Sequence, residues 1–296
     1  KSRQVGATVF VHAENGEILN FLRSECVKKG QLTPHYHYVS RPPFTEAEAV
    51  RRAIYLAGQT DTPLYIAHMT CREAIAELQK AKGTGQRVSG ETCTHYLTTT
   101  KEVLDNPDFN EAAKFVCSPA LRDQEDCEAL WQALAGGLLT AVSSDHCGID
   151  VAELKQAGRD DFTQIPNGSP GAGDRLHMVW TEGVCTGKLS RQKFVDVIAT
   201  QPAKINGIYP RKGTLAVGSD ADIVIFDPSY EGVIRLADNP NGVDYNLYEG
   251  HRQSGRVETV LLRGQVVVEN AKFVGRYGQG QFIPASMYAS GYENRN

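Results

Sequence analysis

Three short apolar runs in this chain each end in a residue that can bind a metal ion. The runs cover residues 7–12, 64–68 and 139–145, and they end at His12, His68 and Asp145. Short apolar runs are typical of buried strands in a parallel sheet. A β/α-barrel places its chemistry at the carboxyl ends of such strands. Because two imidazoles and one carboxylate suit zinc or a similar divalent ion, the pattern predicts a metal-dependent enzyme.

Composition and charge narrow the classes of partner. A chain of 296 residues that is 41% hydrophobic can bury a sizeable core. The formal net charge is -4 and no basic stripe is present, so we expect no nucleic acid partner. We expect no membrane association, because no apolar run approaches the roughly 20 residues of a membrane span. Seven cysteines without a CxxC pair indicate reduced thiols in a cytoplasmic protein.

Strands and helices are predicted to alternate from about residue 7 to residue 208. Further strands are expected at 87–93 and 138–144, and helices at 174–206. A helix is expected at 44–59, with Thr45 and Glu48 as its capping box. Thr70 and Glu73 repeat this spacing directly after the strand that ends at His68.

The sequence pattern changes after residue 209, from alternating strands and helices to strands alone. A strand is predicted at 221–227 and is expected to end at Pro228. Residues 257–263 and 265–269 resemble a hairpin around Gly264. The predicted organisation is a barrel portion at 1–208, a small β domain portion at 209–280 and a C-terminal arm at 281–296.

The strand count sets the expected architecture. Four barrel-type strands end near His12, His68, Cys93 and Asp145, whereas a closed barrel of this kind has eight. The sequence therefore predicts an α/β fold that is the C-terminal half of a (β/α)8 TIM-type barrel, followed by part of a small β-sandwich. On this interpretation the chain is the C-terminal part of a larger protein. An open α/β sheet of four strands is the alternative.

Each candidate ligand also has a purely structural interpretation. A single histidine at a strand end is more often a buried residue with a hydrogen-bond partner, and a single aspartate is often a helix cap. Three such residues at corresponding strand ends favour a shared site. His35 and His37 form an HxH pair, but they are expected in a loop with hydrogen-bonding roles.

Other polar residues are assigned smaller roles. His95 follows another strand end, where a supporting role is favoured over metal binding. The glycine-rich segment 168–173 follows no strand and lacks a phosphate-loop lysine, so a flexible loop is expected. Asp220 and Asp222 are expected to form the turn into the next strand.

Six motifs then occur in a recognisable order. They are residues 11–16, 40–42, 117–122, 144–147, 165–168 and 209–222. Together they resemble the dihydropyrimidinase and D-hydantoinase family of the amidohydrolase superfamily, over essentially the whole chain. The resemblance implies a (β/α)8 barrel with a small β-sandwich domain, often as a homotetramer.

The resemblance also implies roles for individual residues. His12 and His68 would be metal ligands at strands five and six, and Asp145 would be a ligand and the catalytic base at strand eight. Backbone groups of Ser118 and Asn167 would hold the substrate ring. Two zinc ions would be bridged by a carboxylated lysine, which is absent from this sequence.

One part of the family pattern has no counterpart here. The family's first-strand HxH pair, its bridging lysine and its substrate-positioning tyrosine are expected upstream of Lys1, so the chain would carry half of the site. The implied reaction opens a dihydropyrimidine or hydantoin ring to an N-carbamoyl amino acid.

Two alternative functions stay open. An allantoinase or dihydroorotase would share the metal site, although Cys147 and residues 165–168 favour the dihydropyrimidinase side. A non-enzymatic binding protein similar to the collapsin response mediator proteins is the second alternative. The retained His68 and Asp145 argue against it.

Overall fold

A computed structural model describes residues 1–287, in which two four-stranded sheets organise the chain. The strands of the first sheet are β1 (Val9–Val11), β2 (Leu64–Ile66), β3 (Val88–Cys93) and β4 (Ala141–Ser143). They lie side by side in chain order, and every neighbouring pair is parallel. The predicted α/β fold with a parallel sheet is therefore confirmed. The four strands do not by themselves support the narrower expectation of half an eight-stranded barrel.

Helices follow each of these strands. They are α1 (Gly16–Lys28), α2 (His35–Val39), α3 (Pro43–Gln59), α4 (Arg72–Gly83), α5 (Thr94–Thr98), α6 (Phe109–Ala113), α7 (Gln124–Ala135), α8 (Arg175–Val179), α9 (Arg191–Val195) and α10 (Gln201–Ile205). Single π-helical turns at Trp180–Val184 and Asp196–Thr200 directly follow α8 and α9. The predicted helical region 174–206 is confirmed. Within residues 1–287, no helix is long and apolar enough to cross a membrane.

The main core lies between the parallel sheet and its helices. All three residues of β2 are buried, and α3 turns Ala49, Val50, Ile54 and Ala57 towards the sheet side. This spacing places the apolar residues of α3 on one helical face.

All seven cysteines are free, as expected for reduced thiols.

Both predicted capping boxes are wrong. Pro43 occupies the first turn of α3, so Thr45 lies inside the helix and donates to a backbone carbonyl in the same turn. Glu48 instead accepts hydrogen bonds from two side chains. The hydroxyl of Thr70 binds Glu46 rather than the first turn of α4. Proline and a buried carboxylate thus override the local capping signal.

The second sheet is antiparallel. Its strands, in spatial order, are β5 (Ile223–Val233), β6 (Arg252–Leu262), β7 (Gln265–Glu269) and β8 (Lys272–Phe273). The hairpin around Gly264 is confirmed, since Leu262 pairs with Gln265. The expectation that Pro228 ends the first strand is wrong, because a register shift between Asp227 and Glu231 accommodates the proline. The boundaries at 208 and 280 stay predictions, and residues 288–296 of the expected arm lie outside the described residues.

A buried ion pair holds the chain together near the end of β2. Glu46 of α3 and Arg122 expose 2% and 4% of their side chains, with 3.2 Å between Oε2 and Nη2. The backbone N–H of Thr70 donates to Glu46 at 2.8 Å, and Arg122 Nε donates to the Thr70 hydroxyl at 2.9 Å. This network therefore fixes the segment that directly follows His68.

We expect Arg122→Met to lower the free energy of unfolding by about 3–5 kcal/mol, because it leaves the buried carboxyl group of Glu46 without its counterion. Urea unfolding of the purified protein measures this change. The matched control is Arg52→Met, which removes an Arg–Glu pair from the same helix whose side chains are 55% and 42% exposed. The control should cost about 1 kcal/mol or less. Equal losses in the two variants would contradict the prediction.

Candidate metal and substrate site

The candidate ligands lie at one edge of the parallel sheet. His12 follows β1 directly, His68 comes two residues after β2, and Asp145 comes two residues after β4. The φ angles of His68 and Asp145 are 34° and 43°, in the left-handed region that non-glycine residues rarely adopt. Residues held in this region are often part of functional sites. The chain therefore turns sharply at both positions as it leaves the sheet.

The imidazoles of His12 and His68 face each other. His12 Nδ1 lies 3.0 Å from His68 Nε2, and the rings meet edge to face with centroids 4.7 Å apart. Two nitrogens that bind one zinc ion at 2.0–2.1 Å with tetrahedral geometry are about 3.3 Å apart. The two nitrogens lie at hydrogen-bond distance in this structure, about 0.3 Å short of that separation, so a small shift of either ring would let both bind one ion.

Burial lowers the pKa of His68, and the neighbouring His12 ring acts in the same direction, while the charge of Asp145 opposes them. His68 is consequently neutral near pH 7, which is the form that binds metals. Its buried Nδ1 has no hydrogen-bond partner in the described part of the chain. The donor chemistry of the pair thus fits a divalent ion.

A complete ligand set is not assembled in residues 1–287. No group of three or more His, Cys, Asp or Glu side chains there is close enough to hold an ion. The structure brings His12 and His68 together, whereas Asp145 interacts with His68 through its charge. The role of Asp145 as a ligand and base stays a prediction.

Two residues that the sequence analysis missed orient His12. Glu14 exposes 2% of its side chain, and its Oε2 accepts from His12 Nε2 at 3.0 Å and from Arg41 Nη1 at 2.7 Å. Burial alone would raise the pKa of Glu14, but these partners lower it to about 2. With Nε2–H donated to Glu14, the Nδ1 lone pair of His12 points towards His68. The acidic residue two positions after His12 was the available sequence signal.

The two predicted substrate-binding residues are brought together from separate loops. Ser118 Oγ donates to Asn167 Oδ1 at 2.5 Å, and Asn167 Nδ2 donates to the Ile165 carbonyl at 2.9 Å. Gly168 has φ 127°, and a Cβ at this position would come within 2.5 Å of Cys147. The glycine-rich segment, expected as a flexible loop, is therefore closely packed at its first residue. The contact of these residues with substrate stays a prediction.

The HxH pair of His35 and His37 lies in a helix, so the expectation of a loop is wrong. Pro34 caps helix α2, which begins at His35. His37 is buried and its Nε2 donates to the Cys117 carbonyl at 2.7 Å, while His35 binds Asp105 at 2.6 Å. Burial lowers the pKa of His37 to about 3, so the ring is neutral. The expected hydrogen-bonding roles are confirmed.

The remaining polar candidates take structural positions. His95 is buried against the Tyr96 ring, with centroids 4.1 Å apart, and burial lowers its pKa to about 3. Its supporting role stays a prediction. Asp222 N donates to the Asp220 carbonyl at 2.8 Å, which confirms the expected turn before β5.

Comparison with known proteins shows the family to which this chain belongs. The sequence profile of the amidohydrolase family matches residues 3–267. The chain is 48% identical over 288 residues to a D-hydantoinase of Ralstonia pickettii and 49% identical over 288 residues to one of Rhizobium radiobacter. Each alignment covers 97% of this chain and 63% of the relative. A crystal structure of dihydropyrimidinase from Brevibacillus agri superimposes with a TM-score of 0.96 at 44% identity, covering 97% of this chain and 62% of that one.

The chain belongs to the amidohydrolase family, whose members are metal-dependent. The predicted resemblance to D-hydantoinases and dihydropyrimidinases is confirmed. The chain spans 63% of the length of the two D-hydantoinases.

We expect Glu14→Gln to weaken zinc binding by the whole protein 10–100-fold, because the amide accepts a weaker hydrogen bond from His12 and no longer balances the Arg41 charge. Competition with a chromophoric chelator measures the affinity. Glu17→Gln, which changes an exposed carboxylate three residues further on, should leave it unchanged. Equal affinities of Glu14→Gln and the unmodified protein would contradict the orienting role.

Proposed function

We propose that the whole protein hydrolyses a cyclic amide or imide, opening a dihydropyrimidine or hydantoin ring to an N-carbamoyl amino acid. The observation that carries this proposal is the His12–His68 pair, with 3.0 Å between ring nitrogens at the ends of adjacent parallel strands. The names of the matched D-hydantoinases and of the dihydropyrimidinase support the same substrate class.

His12, His68 and Asp145 would hold the metal. When bound, the metal lowers the pKa of a water molecule towards 7 and so supplies hydroxide at neutral pH. The two zinc ions and the bridging carboxylated lysine are carried over from the family resemblance as part of this proposal.

The chain's own residues perform the remaining steps. Backbone groups of Ser118 and Asn167 hold the ring so that its carbonyl carbon faces the attacking oxygen. Asp145 accepts the proton of the attacking oxygen and delivers it to the ring nitrogen that leaves. The neutral His68 and the oriented His12 keep their lone pairs available as ligands.

The two alternative functions differ from the proposed one either in the ring that is opened or in having no catalytic activity. An allantoinase or dihydroorotase would use the same ligands on another ring. A binding protein similar to the collapsin response mediator proteins would have no use for two histidine nitrogens 3.0 Å apart at the ends of adjacent strands. Elemental analysis of the whole protein separates the enzymes from the binding protein, since about two zinc ions per chain are expected for an enzyme and none for the binding protein.

We also propose a cytoplasmic homotetramer whose parallel sheet belongs to a (β/α)8 barrel. The free cysteines support the reducing compartment, and the superposition on a dihydropyrimidinase structure supports the barrel. Light scattering of the whole protein tests the tetramer, and cell fractionation tests the location.

We expect Asp145→Asn in the whole protein to lower kcat for hydantoin and dihydrouracil at least 10²-fold, because an amide cannot accept the proton of the attacking water. Ring opening is followed by the loss of absorbance of the cyclic substrate. Asp160→Asn, which changes an exposed carboxylate further along the same chain segment after β4, is the matched control and should keep full activity.

Near-normal turnover by Asp145→Asn would contradict its role as the base. Absence of turnover by the unmodified, zinc-loaded protein with every cyclic amide tested would overturn the proposed function itself.

A further inference from the structure

Lys155 is the most deeply buried charged group that the proposed reaction does not use. Its side chain is 0% exposed, on a short 3-10 turn formed by Lys155–Gly158. Its Nζ donates to three backbone carbonyls, those of Ala113 at 2.8 Å, Val116 at 3.3 Å and Gly168 at 2.8 Å. Burying an ammonium is costly unless each of its protons is accepted. Such a lysine therefore requires a specific arrangement of these carbonyls.

The charge state of Lys155 matches this arrangement. Burial lowers its pKa to about 8, partly offset by the thiols of Cys117 and Cys147. At neutral pH the group is therefore an ammonium with three protons, one for each carbonyl.

Two of the three carbonyls, those of Val116 and Gly168, belong to the two loops that carry the proposed substrate contacts, and the third, that of Ala113, ends α6. Val116 lies two residues before Ser118, and Gly168 directly follows Asn167. The N–H of Gly168 also donates to the Val116 carbonyl at 2.9 Å. Lys155 therefore contacts both loops at once, beside the Ser118–Asn167 hydrogen bond.

Two further side chains hold the loop of Ser118. The neutral His37 donates to the Cys117 carbonyl at 2.7 Å, and the hydroxyl of Tyr96 donates to the Pro119 carbonyl at 2.6 Å. The carbonyls of Val116, Cys117 and Pro119, on both sides of Ser118, are thus bound by buried side chains from three different segments. A loop has no sheet ladder to satisfy its backbone, so these side chains set its conformation.

We infer that Lys155, together with His37 and Tyr96, is a positioning residue that presents the backbone of Ser118 and Asn167 to the substrate ring. This inference rests on the proposed function, because it assigns the two loops to substrate binding. Lys155 does not touch the substrate. It acts by fixing the distance between the two loops, which a rigid cyclic ligand must match.

The test compares Lys155→Met with Lys82→Met in the whole, zinc-loaded protein. Lys82 is a matched control, because its Nζ donates to the carbonyls of Gly137 and Leu138 in the loop that enters β4, at the opposite end of that strand from Asp145. We expect Lys155→Met to raise KM for dihydrouracil or hydantoin about 10-fold or more, with kcat changed less than about threefold, since the loops bind ground state and transition state alike. Lys82→Met should leave both constants unchanged while lowering the melting temperature.

Tyr96→Phe provides a milder variant in case Lys155→Met does not fold. It removes one hydroxyl and should raise KM several-fold with an unchanged zinc content. A KM within twofold of the unmodified protein in a folded Lys155→Met, or in Tyr96→Phe where Lys155→Met fails to fold, would overturn the inference.

Amide hydrogen exchange separates this inference from the proposed function. Faster exchange of peptides covering 113–120 and 165–170 in Lys155→Met than in Lys82→Met is expected, whatever the substrate. Unchanged exchange in these peptides overturns the positioning role, whereas an inactive unmodified protein overturns the proposed function.

Discussion

The parallel alignment of β1 to β4 is the constraint on which the candidate site depends. Val11 pairs with Ile66, Ile66 with Gly90, and Cys93 with Ser143, so the strands end along one edge. A shift of one residue in this register would turn each strand's side chains to the opposite face. Because the register is kept, His12 and His68 meet with 3.0 Å between nitrogens although 56 residues separate them in the chain.

Beyond the strand ends, where no sheet hydrogen bonds are present, buried cationic side chains hold the backbone in place. Arg122 and Glu46 hold the segment after His68, and Lys155 holds the loops of Ser118 and Asn167. In both places a buried charge is matched by several partners, so removing one partner leaves polar groups buried without compensation. The segment after His68 and the loops of Ser118 and Asn167 are thus each held by a buried cation that donates to oxygen atoms.

Much of the fold could be predicted from sequence, because strand periodicity and turn residues act locally. The four parallel strands and the hairpin at Gly264 are of this kind. The errors arise where two local signals compete. Pro43 starts α3 ahead of Thr45, Pro34 starts a helix through the HxH pair, and a register shift carries β5 past Pro228.

The sequence by itself determined which residues stand at the strand ends and to which family the motifs belong. Only the tertiary structure decided the partners of those residues. Glu14 and Arg41, which lie in two separate motifs, orient His12, and Lys155, which lies in no motif, joins two loops. The physical reason is that the burial of a charge and the choice of its partners depend on segments distant in sequence, which local periodicity does not encode.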